Sequence, residues 1–300
     1  MRRVVLFVFF CQLCSILFAN TYVDTSKDNW TYGNMHQWRT HLAYSVIDEV
    51  QVTDNKVFAL SNHSLFSVDK QSEEIDYLSR LTGLTSAVID HIYYNESLNY
   101  LLLCYQNGQL DIIDGHDDVY NISDLYLKQA NISKRVNDVQ MYQNKAFMAM
   151  NFGIICLDMQ KKEVEDTYYI GHLSTEVNVK YLAIQGDSLY AASDKWLYSA
   201  HLEDNLMDYA FWHTSALPAG NTIEGLCSHE GRICVIRDNS LWSRELNTWK
   251  KHASSYSLRG FCETGDQLFV LLNEQYGTLV LGPDFSLQMA ITYGYNNDLS

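Results

Sequence analysis

The sequence predicts an all-β fold, a β-propeller in which six four-stranded blades are legible, and three observations predict it. Apolar anchors recur six times along the chain, at intervals of 42, 47, 43, 44 and 35 residues. Pairs of turn-forming residues follow the anchor at a near-constant offset in five of the six units, separating short apolar runs as in hairpins. Helical repeats of similar length would need apolar residues at i, i+3, i+4 and i+7 sustained over three turns, a pattern this chain lacks. Units of roughly 40–50 residues with four short antiparallel strands mark propeller blades.

Taken in order, the chain opens with Arg2 and Arg3, then an apolar run from Val4 to Phe18 broken only by Gln12 and Ser15, ending at Ala19. A basic start, a short apolar segment and a small residue at its exit describe a secretory signal peptide, residues 1–19, cleaved after Ala19. The run falls short of the roughly 20 residues that span a bilayer, and no later segment is apolar enough to do so. Residues 20–36 form a polar N-terminal segment, and residues 37–300 the propeller. The innermost strands are anchored by Val50, Ile92, Val139, Leu182, Leu226 and Phe261, each preceded at three residues by an aliphatic: Ile47, Ile89, Val136, Val179, Ile223 and Leu258. Second strands begin near Val57, Tyr100, Ala146, Leu189, Ile233 and Leu268. The turns before them read Asp54-Asn55, Gln143-Asn144, Gly186-Asp187, Glu230-Gly231 and Gly265-Asp266. Third strands follow at Leu65, Leu110, Ile154, Leu197, Leu241 and Leu279, and polar fourth strands such as 74–77 and 163–166 end the units.

Closure of the ring is expected to draw on both termini. Trp38-Arg39-Thr40-His41 lies 12 residues before Val50, as Trp249-Lys250-Lys251-His252 lies 12 before Phe261, and Trp212 sits 14 before Leu226. Trp249 and Trp212 are read as residues of fourth strands. By analogy Trp38 is the fourth strand of a seventh blade whose other strands would follow residue 300, so the chain is read as truncated before its last blade.

Charge narrows the function. Removing the signal takes two arginines and no acids, leaving 19 basic against 36 acidic residues, a net charge of −17. Such a surface repels nucleic acid and anionic headgroups. Five cysteines remain, Cys104, Cys156, Cys227, Cys234 and Cys262, an odd number without paired spacing, so most read as small buried hydrophobes; Cys227 and Cys262, at equivalent places in adjacent units, are the one conceivable pair. No Asp box of the sialidase kind, no H-E-x-x-H, no paired C-x-x-C and no phosphate-cradling glycine loop occurs. The ten histidines are scattered, and His63 and His91 read as hydrogen-bonded or solvated residues rather than ligands. The expectation is a non-enzymatic protein without metal or cofactor.

One constellation recurs. Two residues before the anchors stand Asp48, Asp90, Asn137, Lys180, Glu224 and Arg259, which start the innermost strands near the mouth of the central channel. Such a ring is either a ligand site or the polar lining of a water-filled channel, and its alternating sign favours the lining. Asn-x-Ser/Thr sequons at Asn29, Asn62, Asn95, Asn121 and Asn131 would be glycan sites in a eukaryotic secreted protein and incidental in a bacterial one. The aromatic pairs Tyr93-Tyr94, Tyr168-Tyr169 and Phe211-Trp212 read as packing between blades, with a sugar or protein surface as the alternative.

The stretch Trp38-Arg39-Thr40-His41-Leu42-Ala43-Tyr44 after a signal peptide resembles the opening of the PorZ family, which serves the type IX secretion system of Bacteroidetes. Similar phrases follow at 57–61, 64–69, 81–84, 107–113 and 295–300. The resemblance implies a surface-exposed or outer-membrane-associated protein with two seven-bladed propellers and a terminal sandwich. It also implies a place beside the sortase PorU and the outer-membrane proteins PorV and PorQ. The implied role is scaffolding the attachment of cargo to anionic lipopolysaccharide. No binding residue carries over, because the matching phrases are propeller framework. The alternative is the periplasmic glycan-sensing propeller of a hybrid two-component regulator. Those sensors repeat an Ile-Trp-Ile-Gly-Thr-like second strand, whereas Val57-Phe58-Ala59-Leu60-Ser61 and Leu189-Tyr190-Ala191-Ala192-Ser193 here lack the tryptophan.

Overall fold

The computed structural model describes residues 47–127, 133–252, 257–264, 267–272 and 277–292. These residues form a β-propeller of six four-stranded antiparallel blades. Blade 1 comprises β1 (Glu49–Val52), β2 (Lys56–Ser61), β3 (Ser64–Asp69) and β4 (Ile75–Leu78). Blade 2 comprises β5 (Ile89–Asn95), β6 (Tyr100–Tyr105), β7 (Leu110–Ile113) and β8 (Val119–Ile122). Blade 3 holds β9 (Val136–Tyr142), β10 (Lys145–Met150), β11 (Gly153–Asp158) and β12 (Glu163–Tyr168). Blade 4 holds β13 (Tyr181–Gln185), β14 (Ser188–Ala192), β15 (Trp196–His201) and β16 (His213–Ala216). Blade 5 runs through β17 (Ile223–His229), β18 (Arg232–Arg237), β19 (Ser240–Glu245) and β20 (Thr248–His252). Blade 6 runs through β21 (Leu258–Thr264), β22 (Gln267–Leu272), β23 (Gly277–Leu281) and β24 (Leu287–Thr292).

All six predicted anchors fall on the innermost strands, which neighbour one another in chain order from β1 through β5, β9, β13 and β17 to β21. The alternation of side chains along a strand explains why the central strands are apolar throughout. In β10, Ala146, Met148 and Met150 pack toward blade 2, while Phe147 and Ala149 pack toward blade 4. In β6, Leu101, Leu103 and Tyr105 face blade 1, and Leu102 and Cys104 face blade 3. Among the described residues five apolar clusters result, each filling the gap between two consecutive blades. Burying one leucine there contributes about 1.5–3 kcal/mol, so blades 2 to 5 each draw stability from both neighbours.

Turn chemistry supports the register. Asn62-His63 and Asp238-Asn239 carry positive φ at both central residues, the type I′ geometry whose twist matches paired strands. Outer hairpins use a carboxylate instead. Asp69 accepts from Gln71 and Ser72 N–H, Asp158 from Gln160 and Lys161, and Asp114 from His116 and Asp118, at 2.8–3.0 Å. These asparagine-like turns close the third-to-fourth strand hairpin in blades 1 to 3.

Several readings shift. Trp249 lies in β20 as expected, but Trp212 precedes β16: a short 3₁₀ turn, Tyr209–Phe211, swings its indole into the core between blades 3 and 4. There its Nε1–H donates to Leu206 C=O at 2.9 Å. Ile47 and Val179 lie just ahead of their strands rather than in them. The aromatic pairs pack between blades, except Phe211, which is exposed. Cys104, Cys156 and Cys234 are buried free thiols, while the Cys262 side chain, the Gly265-Asp266 turn, the Trp38 segment and residues 1–36 lie outside the described residues. No helix among the described residues is long and apolar enough to cross a membrane.

Candidate functional site

The six recurrent polar positions share a backbone feature. In β5, β9, β17 and β21 the pairing with the second strand slips by one residue, and the residue left over is Asp90, Asn137, Glu224 or Arg259. Asp48 and Lys180 behave alike: their N–H groups donate to Leu60 and Ala192 C=O, the residues that Glu49 and Tyr181 then pair with. Each innermost strand thus opens with two residues against one. Such a bulge turns a side chain out of the alternation of the sheet and re-aims it.

What the re-aimed residues meet differs from blade to blade. Asp90 is buried and holds Arg135 through two bonds, to Nε at 2.5 Å and Nη2 at 3.1 Å. Asn137 donates to Val179 C=O at 2.7 Å and to Asn151 Oδ1 at 3.0 Å, tying blade 3 to the approach to β13. Lys180 pairs with Asp194 at 2.7 Å. Asp48 accepts from Asn62 N–H at 2.9 Å, and Glu224 accepts from the Thr222 hydroxyl. Arg259 is exposed. Asn137 and Lys180 therefore come together in one pocket of roughly 450 Å³ with His91, Arg135, Asn151, Asn178 and Tyr181, and Asp90 stands behind Arg135. Asp48, Glu224 and Arg259 sit on other blades and do not line it.

One position further along lies a device that the sequence reading passed over. Innermost strands have one edge facing away from their own blade, and those backbone groups need partners. Blade 1 supplies them to blade 2: Glu49 Oε2 accepts from Ile92 N–H at 2.9 Å, and Gln51 Nε2 donates to Ile92 C=O at 3.0 Å. Blade 3 does the same for blade 4, with Asp138 Oδ2 accepting from Leu182 N–H at 2.7 Å. Blade 5 uses space instead. Gly225 occupies the equivalent place, and a Cβ there would lie 3.0 Å from the Phe261 ring, so glycine lets blade 6 pack directly against the backbone. The signal was present as residues one before the anchor, Glu49, Asp138 and Gly225, but no periodicity reveals what they touch.

These carboxylates create a coupled electrostatic cluster beneath the pocket. His91 Nδ1 lies 2.5 Å from Glu49 Oε1, and its Nε2 is 3.9 Å from Asp90 Oδ2. Burial disfavours the imidazolium, yet the hydrogen bond and charge of Glu49 and the charge of Asp90 outweigh it and hold the His91 pKa above its ordinary value. Asp138 is pushed up to about 6 by burial, against the bonds from Leu182 and Val139 N–H and the attraction of His91. Burial also raises the Cys156 thiol to about 12, as expected of an inert core cysteine. Elsewhere Asp111, fully buried in β7, accepts from the Tyr105 hydroxyl at 2.6 Å, from Asn121 Nδ2 at 2.8 Å and from both Thr85 N–H and its hydroxyl at 2.8 and 2.5 Å. That carboxylate fastens the blade 1–2 connector and is structural. Among the described residues no group of three His, Cys, Asp or Glu is placed to hold a metal ion.

A family model described as the TSS9, PorZ, N-terminal beta-propeller domain matches residues 57–213, just over half of the chain. The chain belongs to this family. The matched span begins within blade 1 and ends in blade 4, so it takes in the pocket and the Glu49-dependent contacts only from the blade 2 side, and the opening Trp38–Tyr44 lies ahead of it. Among solved structures, PorZ of Porphyromonas gingivalis, described as an essential bacterial surface component of the type IX secretion system, is similar with a TM-score of 0.73 and 25% identity. The similarity covers 86% of this chain and 34% of that one, so this chain spans about a third of the length of the solved PorZ. No curated protein matches the sequence.

Proposed function

We propose that this chain serves the type IX secretion system as a non-catalytic scaffold at the cell surface, supporting the attachment of exported cargo to anionic lipopolysaccharide. The observation that carries the reading is membership of the PorZ propeller family, reinforced by similarity over 86% of this chain to a surface component of that system. The leader-like residues 1–19 are consistent with export. A disc of blades stapled by half-buried carboxylates is a rigid frame whose loops are free to vary, as an assembly platform requires. The partners on this reading are the PorU sortase and the outer-membrane proteins PorV and PorQ. The strongly acidic chain makes bulk electrostatic capture of a phosphate-rich glycan unfavourable, so any lipopolysaccharide contact uses local groups or other domains. Chemical cross-linking in intact cells of the source bacterium, followed by affinity purification of this protein, tests the partnership. Recovery of the sortase and its outer-membrane companions is expected; recovery of a sensor kinase in their place would overturn it.

A further inference from the structure

We propose that the pocket spanning blades 2 to 4 is a binding site for a neutral saccharide of one or two rings. The inference goes beyond the scaffold role and does not depend on it. The volume, roughly 450 Å³, lies in the range of small-ligand sites, about 300–1,000 Å³. The pocket gathers the bulged starts of β9 and β13, the β10–β11 turn and His91 of β5, so its walls come from three blades.

Charge decides the ligand class. Arg135 and Lys180 look like anion binders, but each is already held by a carboxylate, Asp90 at 2.5 Å and Asp194 at 2.7 Å, and His91 is held by Glu49 at 2.5 Å. Asp138 adds a further acid behind them, coupled to His91 and Glu49. An incoming anion therefore finds no excess positive charge to repay its desolvation. What the pocket does present is donors and acceptors side by side. The amide nitrogens of Asn151 and Asn178 have no hydrogen-bond partner among the described residues, since both side chains accept from Asn137 through Oδ1, at 3.0 and 3.5 Å. Each Oδ1 keeps a second lone pair as an acceptor beside its own amide donors, and the half-buried rings of Tyr181 and His91 add flat faces. A hydroxyl both donates and accepts, so vicinal hydroxyls match this alternation, while the C–H face of a pyranose suits a ring.

The test uses the intact purified chain and saturation-transfer difference NMR with glucose, galactose, mannose, N-acetylglucosamine, their common disaccharides, and glucuronate as the acidic arm. The expected result is saturation of at least one neutral sugar at millimolar concentration or below. That binding should weaken roughly tenfold in both Asn151→Ala and Asn178→Ala, because each loses a donor to the ligand, a change equivalent to about 1.4 kcal/mol. Should Asn151→Ala unfold, Asn178→Ala carries the comparison, since its one amide contact is the long 3.5 Å bond. No neutral sugar bound, glucuronate preferred over every neutral sugar, or binding unchanged in a folded Asn178→Ala variant would each overturn the proposal.

Discussion

Replacing Asp138 by asparagine should remove a large part of the protein's stability change between pH 7.5 and pH 5. The Asp138 carboxyl is raised from 3.8 to about 6 in the folded chain, first by burial. A raised folded value means that stability is greatest below the unfolded value and is lost as pH rises through the folded one. The shift of about two units corresponds to about 3 kcal/mol between protonation states, and partial exposure of the residue reduces this to about 1–3 kcal/mol. The wild-type chain should therefore gain up to that much on acidification, the gain starting as pH falls through about 6 and completing only near 3.8. His91, also raised, adds in the same direction, because its imidazolium is favoured by folding and is lost as pH climbs past its folded value. Carboxylates with lowered values, Asp69, Asp114, Asp158 and Glu165, act the other way, but mostly below about pH 4.5. Asparagine keeps an oxygen to accept from Leu182 N–H and carries no charge. Urea unfolding of both proteins across pH 4.5–8 isolates the effect: the two curves should converge at low pH, with the variant the more stable at pH 7.5. Parallel curves would refute the assignment of a raised carboxyl pKa to Asp138 at this interface.

Other substitutions follow from the same geometry. Glu49→Ala should cost about 1–3 kcal/mol by stranding Ile92 N–H, and should lower the His91 pKa in an NMR titration. Asp111→Ala removes the shared acceptor of Tyr105, Asn121 and Thr85 and should cost about 3 kcal/mol or more in chemical denaturation. Gly153→Ala should cost about 2 kcal/mol or more by thermal unfolding: φ there is 150°, and an added Cβ would sit 2.2 Å from Tyr168 C=O.

The propeller was legible in the sequence because its spacing is set by the fold itself. An innermost strand must cross to its hairpin partner and out to a fourth strand in a fixed number of residues, so Val50, Leu182 and Phe261 announce themselves with no knowledge of contacts. The outer edge was harder to read. Trp212 and Trp249 both read as fourth-strand residues, yet a 3₁₀ turn buries the first while the second lies in its strand, because fourth strands carry little apolar pattern to fix their register. The candidate ring was found as a recurrence of polar residues, and its physical basis proved to be the repeated bulge. Which members share a pocket depends on side-chain reach across blades: Asn137 and Lys180 meet, Asp48 and Arg259 do not. The inter-blade bonds of Glu49 and Asp138 were invisible for the same reason, since a lone acid beside an anchor has no period of its own.

The most direct test of the account is deletion of this gene in the source bacterium, followed by fractionation of type IX cargo and detection of its attached glycan. The predicted result is cargo that still crosses the outer membrane but is no longer anchored through lipopolysaccharide, with anchoring restored by the intact gene. Cargo properly anchored in the deletion strain, with loss of growth on one particular glycan as the sole defect, would contradict it.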